Sequence, residues 1–161
     1  YTSFLPTYLV EIKGIPQSTA TVALGVFFIT GGIAQPLTGS VVSRYGERRV
    51  LVAVTAITAA ALVAFPFTDS VPVFIVLSMA AGLQLVYWPV IFAYIPKALP
   101  NDIQASSFGL LRTIFLYFGA TGPVVVGTLA DMDLFDESFL MLAGITGVAL
   151  VLSGVLPRLD G

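Results

Sequence analysis

The sequence predicts an all-α membrane protein, a single bundle of about six transmembrane helices over residues 1–161. Three observations predict it. Of the 161 residues, 57% are hydrophobic and only 10% are charged, where a soluble domain carries about 25% charged residues. Mean hydropathy is +0.98, so seven basic and nine acidic side chains are too few to keep a globule of this size dispersed in water. The apolar runs reach the roughly 20 residues that a helix needs to cross the hydrocarbon core. They lack the period-two alternation of barrel strands.

The elements follow from the chain in order. The opening "YTSFLPTYLV", residues 1–10, is too short to cross and reads as the second half of a helix that starts upstream. The turn-like "EIKGIPQS" separates it from a second span over 19–43. "SRYGERR" ends that span and leads to a third over 50–68. "TDS" introduces a fourth over 71–95, and "PKALPND" a fifth over 105–130. "DMDLFDE" precedes the sixth, 138–157. Gly- and Pro-containing turns this short make consecutive helices antiparallel neighbours.

Charge then orients the bundle. The first loop holds Glu11 and Lys13, and the second holds Arg44, Glu47, Arg48 and Arg49. The third has Asp69, the fourth Lys97 and Asp102, and the fifth Asp131, Asp133, Asp136 and Glu137. The tail carries Arg158 and Asp160. Cations favour the cytoplasmic side. That places the second and fourth loops and the C-terminus in the cytoplasm of a cell whose plasma membrane holds the protein. A net charge of −2 predicts no nucleic-acid partner. With no cysteine and no histidine, thiolate nucleophiles, Ser-His-Asp chemistry and Cys/His metal sites are excluded. Neither a cofactor nor a metal is expected. An intramembrane enzyme would need a convergent nucleophile and base at depth, and no carboxylate lies deep in any span.

The second turn, "GSVVSRYGERRVL", resembles the loop signature of the major facilitator superfamily. Gly39, Arg44, Gly46 and Arg48 match that pattern. Ser43 stands where the family prefers Asp, and Glu47 where it often has Arg. The fifth helix, "GLLRTIFLYFGATGPVVVGTLAD", resembles the family at Gly119, Gly122, Pro123, Gly127 and Asp131. The resemblance covers nearly the whole chain. It implies a secondary transporter that moves a small solute by alternating access, built from two six-helix halves. The alternative is a non-transporting scaffold or receptor-like module. The degraded loop signature, and a fourth helix without the Arg that many first halves carry, point to the C-terminal half, helices seven to twelve. Its partners are then the lipid bilayer, a small-molecule solute and the N-terminal six-helix half.

The resemblance also implies roles. Arg44, Arg48 and Arg49 would sit at cytoplasmic helix ends. In the family such arginines help latch the halves; orientation and anchoring alone are the simpler reading. Gly46 is expected to take a left-handed turn conformation that other residues resist. Gly25, Gly32 and Gly39 recur every seven residues and so share a helix face, where small residues let membrane helices approach closely. Gly119, Gly122, Pro123 and Gly127 are packing candidates on the fifth helix.

The first and fourth helices of each half are implied to line the substrate cavity, and the third and sixth to face lipid. The fourth, "AGLQLVYWPVIFAYI", places Gln84, Tyr87 and Trp88 on one face, with Tyr94 at its edge and Pro89 as a kink. An amide at mid-span must find a partner or face water. Gln84 is therefore either a cavity residue or a helix–helix bond. Gln35, beside Gly31 and Pro36, is the second such amide, with packing the favoured role. Tyr8, Thr2 and Ser3 are weaker cavity candidates. Arg112 is the one charge well inside a span; a cation at the bilayer centre costs roughly 2.5–3.5 kcal/mol on insertion scales. Snorkelling to the cytoplasmic face competes with a contact to an anion or an inter-helix pair.

Overall fold

The computed structural model describes residues 2–97, 99–100, 102–132 and 134–155. Asp133, Arg158, Asp160 and the last two residues of the sixth expected span lie outside the described residues. Every regular element among the described residues is helical.

Helix α1, Leu5–Thr7, has Pro6 in its first turn and continues as a π-helical turn, Tyr8–Ile12. Gly14, at φ +64, turns the chain. Helix α2, Gln17–Tyr45, begins directly after Pro16 and contains Pro36. Its 29 residues rise about 43 Å, more than the roughly 30 Å hydrocarbon core. Gly46 alone joins it to α3, Glu47–Ala64. The turn closes because the Gly46 N–H donates to the Val42 carbonyl at 2.7 Å, while the Gly46 carbonyl accepts from Val50 at 3.3 Å. Gly46 sits at φ +82 and ψ 149, a positive φ that favours glycine, but its ψ lies far from the left-handed turn conformation expected from the sequence.

The fourth span is three pieces on one axis: α4, Val71–Gly82, a 3₁₀ turn, Leu83–Val86, and α5, Tyr87–Lys97. Pro72 occupies its first turn, where a missing N–H costs nothing. Pro89 explains the 3₁₀ segment, because a proline removes the hydrogen bond of a regular helix four residues back. Helix α6, Gln104–Asp131, and α7, Phe135–Val155, complete the bundle. Among the described residues, four helices are long and apolar enough to cross a membrane: Gln17–Tyr45, Val71–Ile95, Gln104–Asp131 and Phe135–Val155. In α3 the apolar run starts only after Glu47, Arg48 and Arg49.

The two ends of the bundle differ. At one end Tyr8, Phe65, Phe74 and Phe139 are fully buried. Their rings meet in series: Tyr8 to Phe139 at 4.3 Å, Phe139 to Phe65 at 5.3 Å and Phe65 to Phe74 at 5.7 Å between centroids. Aromatic pairs in such geometry add about 0.5–1.5 kcal/mol each beyond burial. Around them the first, third and fifth loops converge. Lys13 donates to the Pro66 carbonyl and to Asp69 at 3.0 Å, and the Tyr8 hydroxyl donates to Asp136 at 2.5 Å. Asp69 is 87% exposed, so this ion pair adds little. Tyr8 is therefore core, not cavity wall.

At the opposite end Arg48 donates to the carbonyl of Gly154. Arg48 thereby pins the second turn to the end of α7. The serpentine gathers odd loops at one end and brings the second turn to the end of α7 at the other.

Glycines set the closest helix approach, at positions other than those expected. A Cβ at Gly82 would lie 2.4 Å from the carbonyl oxygen of Phe27. One at Gly31 would lie 2.3 Å from Leu85 Cδ1. Contact between α2 and the fourth span depends on both. Nothing lies within 4 Å of a Cβ built at Gly25, Gly32 or Gly39, nor at Gly119 or Gly122. Gly127 meets only Phe4, at 3.9 Å. The reason is rotational. The buried residues of α2 are Ala20, Ala23, Phe27, Gly31 and Thr38. At 100° per residue they centre about 130° round the helix from the seven-residue glycine stripe. Within this chain the stripe faces outward, and so do Gly119 and Gly122.

Candidate functional site

Threonine hydroxyls in these helices mostly bond back to their own backbone. Thr38 donates to the Ala34 carbonyl, Thr55 to Leu51 and Thr146 to Leu142. This is the local solution available where neighbouring lipid offers neither donor nor acceptor. Thr58 departs from it. It is 1% exposed, and its hydroxyl oxygen has no hydrogen-bond partner.

Thr58 lines a cavity of about 170 Å³. Helix α3 contributes Val54, Thr55 and Thr58 to its wall, and α7 contributes Ile145, Thr146 and Ala149. The junction of the 3₁₀ turn with α5 contributes Gln84, Tyr87 and Trp88. The face read from the sequence is thus assembled in one place, because residues 84, 87 and 88 stay within one turn of each other. Gln84 is exposed, and its side-chain amide makes no hydrogen bond to another described residue. Tyr87 and Trp88 meet edge to face at 6.2 Å. Trp88 continues to Phe115 of α6 at 5.9 Å, and Phe92 meets Phe108 at 5.4 Å. These rings fasten α6 to the fourth span.

The remaining candidates lie elsewhere. The Gln35 amide nitrogen donates to the Leu85 carbonyl at 3.2 Å. In a regular helix that carbonyl would accept the N–H of residue 89, which Pro89 lacks. Gln35 supplies the donor from α2. In this structure it ties α2 to the fourth span, and it is absent from the cavity wall. Arg112 is exposed on α6, also away from the cavity. Arg44 and Arg49 are exposed at the second turn, with the Arg44 guanidinium 5.5 Å from the Tyr45 ring centroid. Tyr94 is buried. Sequence reasoning passed over Thr55, Thr58 and Thr146, because α3 and α7 read as plain lipid-facing helices. The available signal was the pair at i and i+3 on α3, which share a face.

The Gln35 contact makes a prediction. Interhelical hydrogen bonds in membrane proteins average about 0.6 kcal/mol and reach about 1.7. Gln35→Ala is expected to cost that much, and to cost nothing in a Pro89→Ala background, where residue 89 supplies its own N–H. A thermal double-mutant cycle measures the coupling. Equal costs in both backgrounds would refute the account.

Comparison with known proteins places the chain. The family profile described as Major Facilitator Superfamily matches residues 1–160. An uncharacterized MFS-type transporter of Bacillus subtilis strain 168, YuxJ, is 26% identical over 158 residues, covering 94% of this chain and 40% of that protein. The putative niacin/nicotinamide transporter NiaP of the same strain is 29% identical over 117 residues, covering 70% of this chain and 28% of that one. A second uncharacterized MFS-type transporter from it, YcnB, is 22% identical over 136 residues, covering 82% and 28%. The chain thus spans well under half the length of these curated relatives. An apolar helical bundle, a glycine-hinged arginine turn and a profile match along residues 1–160 converge on one conclusion: the chain belongs to the major facilitator superfamily.

Proposed function

We propose that this chain is one six-helix half of a secondary transporter that carries a small solute by alternating access. The observation that carries the reading is the family match over residues 1–160. The partner half is supported by length, since the chain spans 40% and 28% of its relatives. It is also supported by surface. Helix α6 buries very little of itself in the bundle, and the Gly32, Pro36 and Gly39 side of α2 is exposed. These faces suit close packing against the other half, with α2 and α6 forming the moving contact. Loop signature and charge pattern favour the C-terminal half, in the cell membrane, with the arginine turn in the cytoplasm.

In this reading Arg48 serves its own half, through Gly154. Arg44 and Arg49 are left to reach the partner half and stabilise one of the two access states. No carboxylate sits deep in a span of this chain, so any proton site belongs to the other half.

Flux through the full-length protein in vesicles tests the reading. Niacin and nicotinamide, the solutes in one relative's name, are the first to try. Saturable flux is expected. Ligand-induced structural change without flux for any solute class would favour a receptor-like module instead. Arg44→Ala is expected to lower turnover about twofold to fivefold, the scale of one exposed ion pair, with expression unchanged. Lost expression with normal turnover of the remainder would make Arg44 an anchor only.

A further inference from the structure

The first helix changes register where it reaches the loops. Helix α1 passes into a π turn at Tyr8–Ile12, and the Lys13 N–H reaches five residues back to the Tyr8 carbonyl at 3.2 Å. Such a turn holds one residue more than an α turn and is rare. Here it exchanges two side chains. In a regular helix Ile12 would stand over Tyr8 and continue the buried face of Leu5, Tyr8 and Leu9. Lys13 would point about 140° round from Tyr8. Instead Ile12 is 46% exposed. The Lys13 side chain is 10% exposed, its ammonium 5.9 Å from the centroid of the Tyr8 ring.

Both ends of the turn are tied to other helices. The Tyr8 hydroxyl donates to Asp136 in the first turn of α7. Lys13 donates to the Pro66 carbonyl at 2.9 Å and to Asp69, both between α3 and α4. Tyr8 is wholly buried against Phe139, so it is the fixed end. Lys13 is the end that can let go. Its ionic partner is exposed, which leaves one bond to a backbone carbonyl as its main hold. Each register misplaces something. The π register exposes an isoleucine and desolvates an ammonium, both unfavourable. The α register would bury the isoleucine and return the ammonium to water, but without the Lys13 bonds.

We propose that Tyr8–Ile12 is a two-register switch with Lys13 as its catch. With the catch closed, the turn is π-helical. With the catch open, it is α-helical, and Ile12 replaces Lys13 over Tyr8. The difference of one residue is about 100° of helix rotation. Tyr8 stays in the core, so the rotation is delivered to Gly14, at φ +64, and through it to the start of α2. Helix α2 carries one of the faces proposed to meet the other half, so the switch ties that contact to the loop end of the bundle. This consequence rests on the transporter reading. The switch itself does not, because register is measured whether or not the protein carries a solute.

The test is the rate at which a water-soluble maleimide labels one added cysteine in the purified full-length protein in nanodiscs. This chain has no cysteine of its own, and the unsubstituted protein supplies the background. Ile12→Cys should label fast, since the catch is closed and position 12 faces outward. Lys13→Cys removes the catch, turns position 13 outward and should label at a similar rate. Adding Ile12→Asn to Lys13→Cys makes the α register bury an amide, and should slow labelling roughly tenfold, the scale of one buried polar group in an equilibrium. Protection of position 13 in a cooperatively unfolding Lys13→Cys protein would overturn the proposal, as would slow labelling of Ile12→Cys. So would labelling at position 13 that Ile12→Asn leaves unchanged, since fraying rather than register exchange would then expose it. If Lys13→Cys does not fold, Asp69→Ala, an exposed change, carries the test. It should slow labelling of Ile12→Cys about twofold, and an unchanged rate overturns the proposal.

Discussion

Gly82→Ala is expected to remove most of the folded protein, whereas Gly144→Ala is expected to be silent. The two substitutions add the same methyl group to the same kind of apolar helix. At Gly82 the new carbon would lie 2.4 Å from the carbonyl oxygen of Phe27, and 3.1 Å from its carbonyl carbon. Those atoms belong to the backbone of α2, so relief requires moving a helix of 29 residues. Overpacking typically costs 1–3 kcal/mol, occasionally more. A backbone clash of this kind falls at or above about 3 kcal/mol. At Gly144 no atom lies within 4 Å; alanine's better helix propensity, about 1 kcal/mol, is the only term left. Gly31→Ala falls between them, because its clash is with the Leu85 side chain. The yield of monodisperse full-length protein and its thermal midpoint give the ranking. A Gly82→Ala variant as stable as Gly144→Ala would mean that α2 and the fourth span do not cross as described.

That contrast marks what a sequence of this kind discloses. Apolar run length and turn residues disclosed where helices begin, because lipid imposes the length and glycine or proline marks the breaks. The helices from Gln17, Glu47 and Val71 begin within three residues of the expected starts. Which face of a span turns inward was not legible. In a soluble helix, polarity identifies the outer face. In α2 both faces are apolar, so Gly25 and Gly31 look alike, and only the fold separates them. The Gln84, Tyr87 and Trp88 face was legible because aromatic and amide groups are conspicuous in a greasy helix. Its opposite wall was not, since Thr58 differs from Thr55 only in lacking a backbone partner. Gln35 was ambiguous for a similar reason: the carbonyl that needs it lies 50 residues away. It needs a donor because of Pro89, not because of Gln35.

Gly46→Ala is expected to cost about 1–3 kcal/mol, through backbone torsion alone. Nothing lies within 4 Å of a Cβ placed there, so sterics with neighbours contribute nothing. The residue holds φ +82 and ψ 149, close to a region that essentially only glycine populates. It is also the whole connection between α2 and α3, capping one and starting the other. Asparagine, which tolerates the ordinary left-handed conformation at φ ≈ +57° and ψ ≈ +47°, should be no better than alanine here, since ψ differs by about 100° from that well. A side-chain-bearing residue can relax only by rotating α3 relative to α2. That rotation moves Arg48 away from the Gly154 carbonyl and carries Arg44 and Arg49 with the turn. The variant should therefore lose stability and, in the full-length protein, lose flux beyond what its lower abundance explains. Gly144→Ala, equally open and on α7, away from the faces proposed to meet the other half, controls for the added methyl group. If Gly46→Asn restores the wild-type midpoint, the turn adopts the ordinary left-handed conformation instead. If both variants behave as Gly144→Ala does, the turn does not constrain the two helices, and the arginines it carries are not held in place by it.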